Sequence, residues 1–288
     1  MESASVALGP RFLYNPNALR RRSIPTLIMP TMSESALARI RIVLVEPAGP
    51  LNVGSVARVM KNMGLSQLVL VNPQCDRQDE WAIKMAVHGA DILESAQIVN
   101  ELPQALVGCQ RAIATTGRSR SLPTDLETPR VALPWLLETP SALIFGREDR
   151  GLSNDELNYA QRFVQIPSSP EYPSLNLAQS VAVCAAELYQ QATGLAEDHS
   201  SNPSPFISAG SSVPTASLEE LEGYYQHLEQ LLLEIGYLYP HTAPRRLEKF
   251  RRLYNRAQLS SQEVAMLRGI LTQMEWALSQ GSGVGDRL

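Results

Sequence analysis

Short apolar runs alternate with amphipathic stretches from residue 40 onward. The run Ile40–Val45 is apolar except for Arg41 and rich in β-branched residues, which is typical of a parallel strand buried on both faces. The same pattern predicts strands at Gln67–Val71, Arg111–Thr115, Ala142–Phe145 and Phe163–Ile166. Apolar residues at helical spacing predict helices at Val53–Met63, Asp79–Val87, Glu101–Leu106, Asp155–Ala160 and Leu177–Thr193. Alternating strands and helices indicate an α/β domain with a mostly parallel sheet.

End signals support three of these helices. Gly64 stands directly after the first one, where glycine commonly ends a helix. Ser153 with Glu156 has the spacing of a capping box and predicts the start of another. Ser174 and Asn176 precede the long helix at residues 177–193, and either residue could supply its N-terminal cap.

A different pattern begins after residues 194–214, a stretch rich in Ser, Pro and Gly that is typical of a linker. Apolar residues then recur every three or four positions in two segments: Leu218, Leu221, Tyr225, Leu228, Leu232 and Ile235, and later Val264, Leu267, Leu271, Met274 and Leu278. Ser217 with Glu220 is a further capping box. Such stripes need burial against each other, the first domain or a second subunit, and the small size of the unit favours docking or dimerisation.

These patterns divide the chain into four parts. We predict a disordered arm at 1–37, an α/β domain at 38–194, a linker at 195–215 and a helical unit at 216–280. The arm is rich in arginine and serine and poor in acids, so a targeting peptide is the alternative for it.

Composition narrows the functional classes. The 288-residue chain has a net charge of −4, so nucleic-acid binding would have to rest on local basic patches. The three cysteines are widely spaced, which suits a reducing cytosol, and neither they nor the four histidines have the spacing of a metal site. No apolar run is long enough for a transmembrane helix. We therefore expect a cytoplasmic protein with no bound metal and no membrane partner.

Three polar segments follow predicted strands, at the strand ends where open α/β sheets bind ligands. The first, Asn52–Arg58, contains Gly54 and leads into a helix whose N-terminus favours anions. The second surrounds Gly146, where a glycine would let a planar ligand approach the backbone, and the third is the proline-rich run Ile166–Leu177. None of them matches a phosphate loop or a dinucleotide-binding fingerprint, which argues against a nucleotide-dependent oxidoreductase.

In this order the segments resemble the three signature motifs of the SpoU/TrmH family of SPOUT methyltransferases, which are N-x-G-x-x-x-R, F-G-x-E and S-L-N. The longer strings NVGSVARVMKNMGL, IATTGRSR and EYPSLNLAQSV are similar to the TrmJ group of that family. The C-terminal strings YYQHLEQLLLEIG and RRLYNRAQLSSQEVAMLRGIL are similar to the same group. The resemblance covers Arg39–Thr193 and Ala216–Leu278, but not the N-terminal arm.

The resemblance implies a SPOUT-type parallel sheet with a C-terminal trefoil knot, a topology that general rules on chain connections would exclude. It also implies S-adenosyl-L-methionine as the cofactor and an active site at a homodimer interface. The implied reaction is 2′-O-methylation of tRNA, at the cytidine or uridine that opens the anticodon loop. By the same likeness, the cofactor-binding residues are Thr115, Thr116, Gly117, Gly146, Ile166, Ser174, Leu175 and Asn176.

By the same likeness, Arg58 has a role at the 2′-hydroxyl, and we take Asn52, Glu148 and Ser174 as the further candidate catalytic residues. Because arginine stays protonated, we expect Arg58 to hold a phosphate and to stabilise developing alkoxide charge, while a phosphate oxygen or water takes the proton. Ser174 and Asn52 would orient the ribose or the arginine. Glu148 would hold either the loop or the arginine.

RNA contacts are expected at basic side chains. In the α/β domain these are Arg118, Arg120, Arg147 and Arg150, and in the helical unit Arg245, Arg246, Lys249, Arg251, Arg252 and Arg256. The alternative for the second group is an ordinary solvated helix face. Two further functions stay open: methylation of rRNA or of another tRNA site, and a non-catalytic RNA-binding homologue.

Overall fold

Seven parallel strands form one sheet in the described part of this protein. The structure is a computed structural model that describes residues 36–117, 126–195 and 215–281. The strands are β1 (Ile40–Val45), β2 (Gln67–Val71), β3 (Gln97–Val99), β4 (Arg111–Thr115), β5 (Leu126–Glu127), β6 (Ser141–Phe145) and β7 (Arg162–Val164). Their order across the sheet is β3-β2-β1-β6-β4-β7-β5. The five predicted strands are confirmed, although the last ends two residues early. The two unpredicted strands, β3 and β5, are too short to leave an apolar pattern.

Helices connect these strands. They are α1 (Pro50–Asn62), α2 (Glu80–Ala86), α3 (Ala90–Ser95), α4 (Leu102–Leu106), α5 (Pro129–Ala132), α6 (Asn154–Leu157) and α7 (Leu177–Thr193), with 3-10 turns at Val87–Gly89 and Leu133–Leu137. All five predicted helices are present. Gly64 adopts a φ of +67° just after α1, and the capping box of Ser153 and Glu156 begins α6. Asn176, and not Ser174, caps α7 with its side-chain oxygen.

Alternate residues of the four central long strands, β1, β2, β4 and β6, enter two apolar cores on opposite faces of the sheet. Ile40, Ile42 and Leu44 of β1 lie in the first core, which α1 and α7 cover. Val43 and Val45 lie in the second core, which α4 and the C-terminal helices cover. Burial on both faces explains why the strands are almost continuously apolar.

Three helices form the C-terminal unit: α8 (Leu218–Glu234), α9 (Ala243–Ala257) and α10 (Ser261–Gly281). Ser217 and Glu220 form the predicted capping box of α8. Leu221 and Leu231 of α8 are buried in the second core, and the Leu218 amide donates to the Cys109 carbonyl oxygen over 2.9 Å. Most of the two apolar stripes therefore packs against the other stripe and against the sheet, whereas Ile235, Met274 and Leu278 are exposed.

Two predicted segments fall largely outside the described residues: the arm at 1–37 and the linker at 195–215. The proposed domain limits therefore stay predictions. Within the described ranges, no helix is both long enough and apolar enough to cross a membrane.

Candidate active site

The three polar segments leave the same edge of the sheet from neighbouring strands. β1, β6, β4 and β7 are consecutive in the sheet and all parallel. Thr115 at the end of β4 is in register with Val164 of β7, and Ala114 is in register with Ile144 of β6. The loops after β4, β6 and β7 therefore start side by side, next to the turn that leads from β1 into α1.

Hydrogen bonds join one residue from each motif. The Asn52 side-chain amide donates to Glu148 Oε1 over 2.9 Å, and the Asn176 amide donates to Asn52 Oδ1 over 2.9 Å. Glu148 also accepts from the backbone amides of Ala48 (3.0 Å) and Gly49 (3.1 Å). The carboxylate thus fixes the turn before α1, and Asn52 links that turn to the start of α7.

The environment of Glu148 keeps its carboxylate ionised. Partial burial alone would raise the pKa of Glu148. Hydrogen bonds from the Asn52 side chain and the backbone amides of Ala48 and Gly49 more than offset this effect, so its pKa lies below the usual value. A carboxylate with a lowered pKa and three N–H donors is a poor general base, which favours the expectation that Glu148 holds the loop.

The loop that carries Glu148 is held by its own backbone and by ion pairs. The Gly151 amide donates to the Arg147 carbonyl oxygen over 2.8 Å. A Cβ at Gly146 would overlap the backbone between Gly151 and Leu152, so glycine is required there by this close crossing. We expected a glycine here because it would leave room for a planar ligand. The structure gives a different reason, which is the close approach of the Gly151 backbone.

Arginines of the same loop pair with carboxylates. Arg150 donates to Glu46 over 2.9 Å and to Glu156 over 3.1 Å. Arg147 lies 3.1 Å from Asp149 and 3.8 Å from Glu46. Glu46 was not predicted as a site residue, and the signal for it in the sequence is an acidic residue directly after a buried strand. Arg147, predicted to contact RNA, is thus placed within an ion-pair network.

Arg58 lies on the exposed side of α1 and pairs with no carboxylate in the described part of the chain. Its helix is held very close to its neighbours by two glycines. A Cβ at Gly54 would overlap the Ala82 carbonyl oxygen, and one at Gly89 would lie 3.0 Å from the Arg58 amide nitrogen. Val87, between α2 and Gly89, has a φ of +52°, which is strained for a β-branched residue. The position of Arg58 thus depends on a close and strained helix contact.

Loops after β4 and β7 offer backbone groups to a ligand. The Thr115 hydroxyl donates to the Ile144 carbonyl oxygen over 3.0 Å, and the Thr116 amide donates to the Val164 carbonyl oxygen over 2.9 Å, which fixes the first turn. The amides of Gly117, Ile166 and Leu175 donate to no other residue in the described ranges. Ser174 is exposed in the loop before α7. The loops that carry the predicted cofactor residues thus leave the same edge of the sheet, while Arg118 and Arg120 lie outside the described residues.

The predicted RNA contacts of the helical unit separate into two groups. Arg251 is 11% exposed and its guanidinium pairs with Glu222 over 2.5 Å. It also lies 4.6 Å from the centre of the Tyr225 ring. Arg252 pairs with Glu248 one turn earlier. In contrast, four exposed cations of α9 pair with no carboxylate in the described ranges: Arg245, Arg246, Lys249 and Arg256.

The described residues contain no group of three or more His, Cys, Asp or Glu side chains that could hold a metal ion. The Cys75 thiol lies near the site, where burial, followed by the nearby Glu148, Asp79 and Asp76, raises its pKa to about 11. This cysteine is therefore a thiol at neutral pH and not a nucleophile.

Comparison with known proteins covers both parts of the chain. Residues 39–186 match the SpoU rRNA Methylase family, and residues 219–283 match the C-terminal domain of the tRNA methyltransferase TrmJ. The tRNA (cytidine/uridine-2′-O-)-methyltransferase TrmJ of Salmonella typhimurium is 43% identical over 248 residues, which cover 83% of this chain and 97% of that protein. The corresponding protein of Pectobacterium atrosepticum is 42% identical.

Two solved structures share the arrangement. The crystal structure of TrmJ from Z. mobilis ZM4 has a TM-score of 0.70 and 31% identity, and the match covers 82% of this chain and 98% of that one. A probable methylase family protein from Haemophilus influenzae has a TM-score of 0.53 over 85% of this chain and 99% of that one, also at 31% identity. The motifs, the parallel sheet and the C-terminal helices thus agree with one another, and the chain belongs to the SpoU methylase family, in its TrmJ group.

Proposed function

We propose that this protein transfers a methyl group from S-adenosylmethionine to a tRNA ribose 2′-hydroxyl, at the cytidine or uridine that opens the anticodon loop. Relatives at 43% identity over most of the chain are named tRNA (cytidine/uridine-2′-O-)-methyltransferases. The observation that carries the proposal is the chain of hydrogen bonds from Glu148 through Asn52 to Asn176. A homologue without catalytic function need not keep these three residues.

The loops after β4, β6 and β7 fit a cofactor held mainly by backbone groups. Within the described ranges, the amides of Gly117, Ile166 and Leu175 donate to no other residue and so offer donors, and a Cβ at Gly117 would meet no described atom within 4 Å. When bound, S-adenosylmethionine supplies a methyl group on a sulfonium, which is already a good leaving group. The protein therefore has to align the 2′-hydroxyl and help it lose its proton.

Arg58 is the residue that we assign to the hydroxyl side of the reaction. Its guanidinium is exposed and unpaired in the described part of the chain, so it is available to a phosphate and to the oxygen that gains negative charge. Because arginine stays protonated, the hydroxyl proton passes to a phosphate oxygen of the substrate or to water. Ser174, exposed at the mouth of the loop before α7, orients the ribose.

Glu148 and Asn52 act as positioning residues in this scheme. Glu148 fixes the Ala48–Gly49 turn, and that turn sets the start of α1, the helix that carries Arg58. Asn52 transmits the same constraint to Asn176 at the start of α7. A change in the loop after β7 is therefore coupled to the helix that presents Arg58.

The same proposal includes a homodimer with a trefoil knot in each α/β domain, located in the cytoplasm. One feature supports a dimer: α10 exposes the apolar residues Met266, Ile270 and Met274 on one face. Light scattering at micromolar concentration tests the dimer. A fully active monomer would refute this part.

The reaction is tested with S-adenosylmethionine labelled in the methyl group, incubated with bulk tRNA and, separately, with rRNA. Nucleoside mapping of the product should give 2′-O-methylated cytidine and uridine from the first nucleotide of the anticodon loop. Label in rRNA alone would favour the alternative substrate. Cofactor binding without transfer to either RNA would favour a non-catalytic homologue.

A further inference from the structure

An exposed aromatic segment lies between α8 and α9. Tyr237 and Tyr239 are 53% and 56% exposed, whereas Leu238 between them is buried. His241 is exposed as well, and its ring stacks against that of Tyr239 with centres 6.1 Å apart. Single exposed aromatic residues are common on proteins, but here a stacked pair of rings and a third exposed ring lie within five residues.

Hydrogen bonds hold the backbone of this segment in place. Gly236 has a φ of +74° where α8 ends, and the Leu238 amide donates to the Leu232 carbonyl oxygen over 2.8 Å. The Tyr239 carbonyl oxygen accepts from the amides of Thr242 and Ala243, both over 2.8 Å. With Leu238 buried as an anchor, the tyrosine rings are presented outward by a fixed turn. A ligand that covers them therefore has little backbone ordering to impose.

Positive charge adjoins these rings. Arg246 donates to the Tyr237 carbonyl oxygen over 3.0 Å, and its guanidinium lies 5.7 Å from the centre of the Tyr237 ring. Arg245 and Lys249 are exposed within the same helix and carry no carboxylate partner in the described ranges. The chain as a whole has a net charge of −4, so a local excess of unpaired cations beside exposed rings indicates an anionic partner with flat apolar groups.

We propose that the aromatic platform, defined as Tyr237, Tyr239 and His241, stacks on unpaired nucleotides of the RNA while the cations of α9 contact their phosphates. The inference rests on the proposed function and deepens it. Base faces are covered inside a duplex and become available only in loops and ends, so the platform selects looped RNA over paired RNA. A protein that bound only the phosphate backbone of a duplex would need the cations but not the aromatic rings.

The test compares binding of two RNAs by the full-length protein. One RNA is an anticodon stem-loop, and the other has the same stem closed into a continuous duplex. Tyr237→Ala and Tyr239→Ala are each expected to weaken stem-loop binding roughly ten-fold, in line with the loss of one stacked base. Duplex binding and the salt dependence of binding should not change. Tyr237→Phe and Tyr239→Phe keep the ring and should restore affinity. Trp276→Ala, an exposed aromatic residue on α10, is the matched control.

Three results would overturn the proposed role of the platform: unchanged stem-loop affinity in both alanine variants, an equal loss of affinity for the duplex, or a changed oligomeric state that assigns the rings to a protein interface.

Measurement of KM and kcat for tRNA distinguishes failure of this inference from failure of the proposed function. The alanine variants should raise KM for tRNA and leave kcat unchanged, because the rings do not touch the reacting atoms. If the wild-type protein binds the stem-loop through its tyrosines but transfers no methyl group, the proposed function fails and the platform stands.

Discussion

Two groups of basic side chains occur in this protein, and the structure treats them differently. Arg147, Arg150 and Arg251 pair with carboxylates and hold loops or helices in place. Arg245, Arg246, Lys249 and Arg256 are exposed on α9 and have no carboxylate partner in the described ranges. From the sequence alone, all residues of both groups were predicted to contact RNA. The difference teaches that the number of basic residues near a motif overestimates the charge available to a nucleic acid, because part of it is neutralised within the fold.

The division also predicts two kinds of mutant. Loss of a paired arginine leaves a carboxylate without its partner, so the cost appears in the free energy of unfolding. Loss of an unpaired cation leaves the fold intact, and the cost appears in RNA affinity and its dependence on salt. Each experiment below can break this division or sharpen it.

The largest effect is expected at Arg58, the unpaired arginine of the candidate active site. Arg58→Ala should lower kcat for methyl transfer by about 10²–10³-fold, as removal of one donor to a developing oxyanion does elsewhere. Cofactor affinity and the urea midpoint should stay near those of the wild type, since the side chain is exposed and pairs with no carboxylate in the described part of the chain.

Arg58→Lys is the control, because it keeps the charge but not the forked geometry. It should recover part of the lost rate. Near-normal turnover of Arg58→Ala would remove Arg58 from the mechanism, and a loss of cofactor binding in parallel would place it in the cofactor site instead.

The next effect is on stability, at the buried pair of Arg251 and Glu222. Their side chains are 11% and 18% exposed, so Arg251→Gln leaves Glu222 with little water to replace its partner. We expect a loss of about 3 kcal/mol in the free energy of unfolding, measured with urea. The double variant with Glu222→Gln should recover part of this loss, because it removes the stranded charge. A destabilisation below about 0.5 kcal/mol would mean that the pair is effectively solvated, as surface pairs are.

These two groups of arginines also mark the limit of what the sequence reveals. Ile40–Val45 and Leu177–Thr193 were predicted to the residue because long apolar patterns are set by burial of the element itself. No apolar stripe revealed α9, since only Ala243 and Leu247 of its fifteen residues are buried. Arg251 and Glu222 are 29 residues apart, so no local rule could pair them.

The candidate site follows the same pattern. The resemblance of the motifs made Asn52 and Glu148 catalytic candidates and Asn176 a cofactor residue, but it did not predict that hydrogen bonds join the three side chains. Which residue caps α7, and what Glu148 holds, depended on distances across the sheet. The reason for Gly146 is a contact with the backbone at Gly151, which spacing along the chain does not encode.

A third prediction addresses the unpaired group directly. Replacing Arg245, Arg246, Lys249 and Arg256 together with glutamine should flatten the log–log dependence of tRNA affinity on salt by about three units, for a loss of up to four phosphate contacts. The urea midpoint should change little. Anisotropy titrations at several salt concentrations measure the slope. An unchanged slope would make α9 a structural helix and move RNA recognition to the α/β domain.

The smallest effect is expected at Arg150, which has the charge of an RNA contact but the partners of a structural residue. Its side chain is 40% exposed and bridges Glu46 and Glu156, so water screens both pairs and Arg150→Gln should cost about 1 kcal/mol or less. The slope of affinity against salt should stay the same. The turnover number should fall only a few-fold, because the loop that Arg150 holds also carries Glu148, which fixes the turn before α1.

Arg256→Gln is the matched control and should show the opposite behaviour, with no loss of stability and a slope lower by about one unit. If Arg150→Gln also flattened the slope by a full unit, an ion-paired arginine would be contacting phosphate. The distinction between paired structural arginines and unpaired RNA-binding cations would then fail at Arg150, the most exposed of the paired arginines.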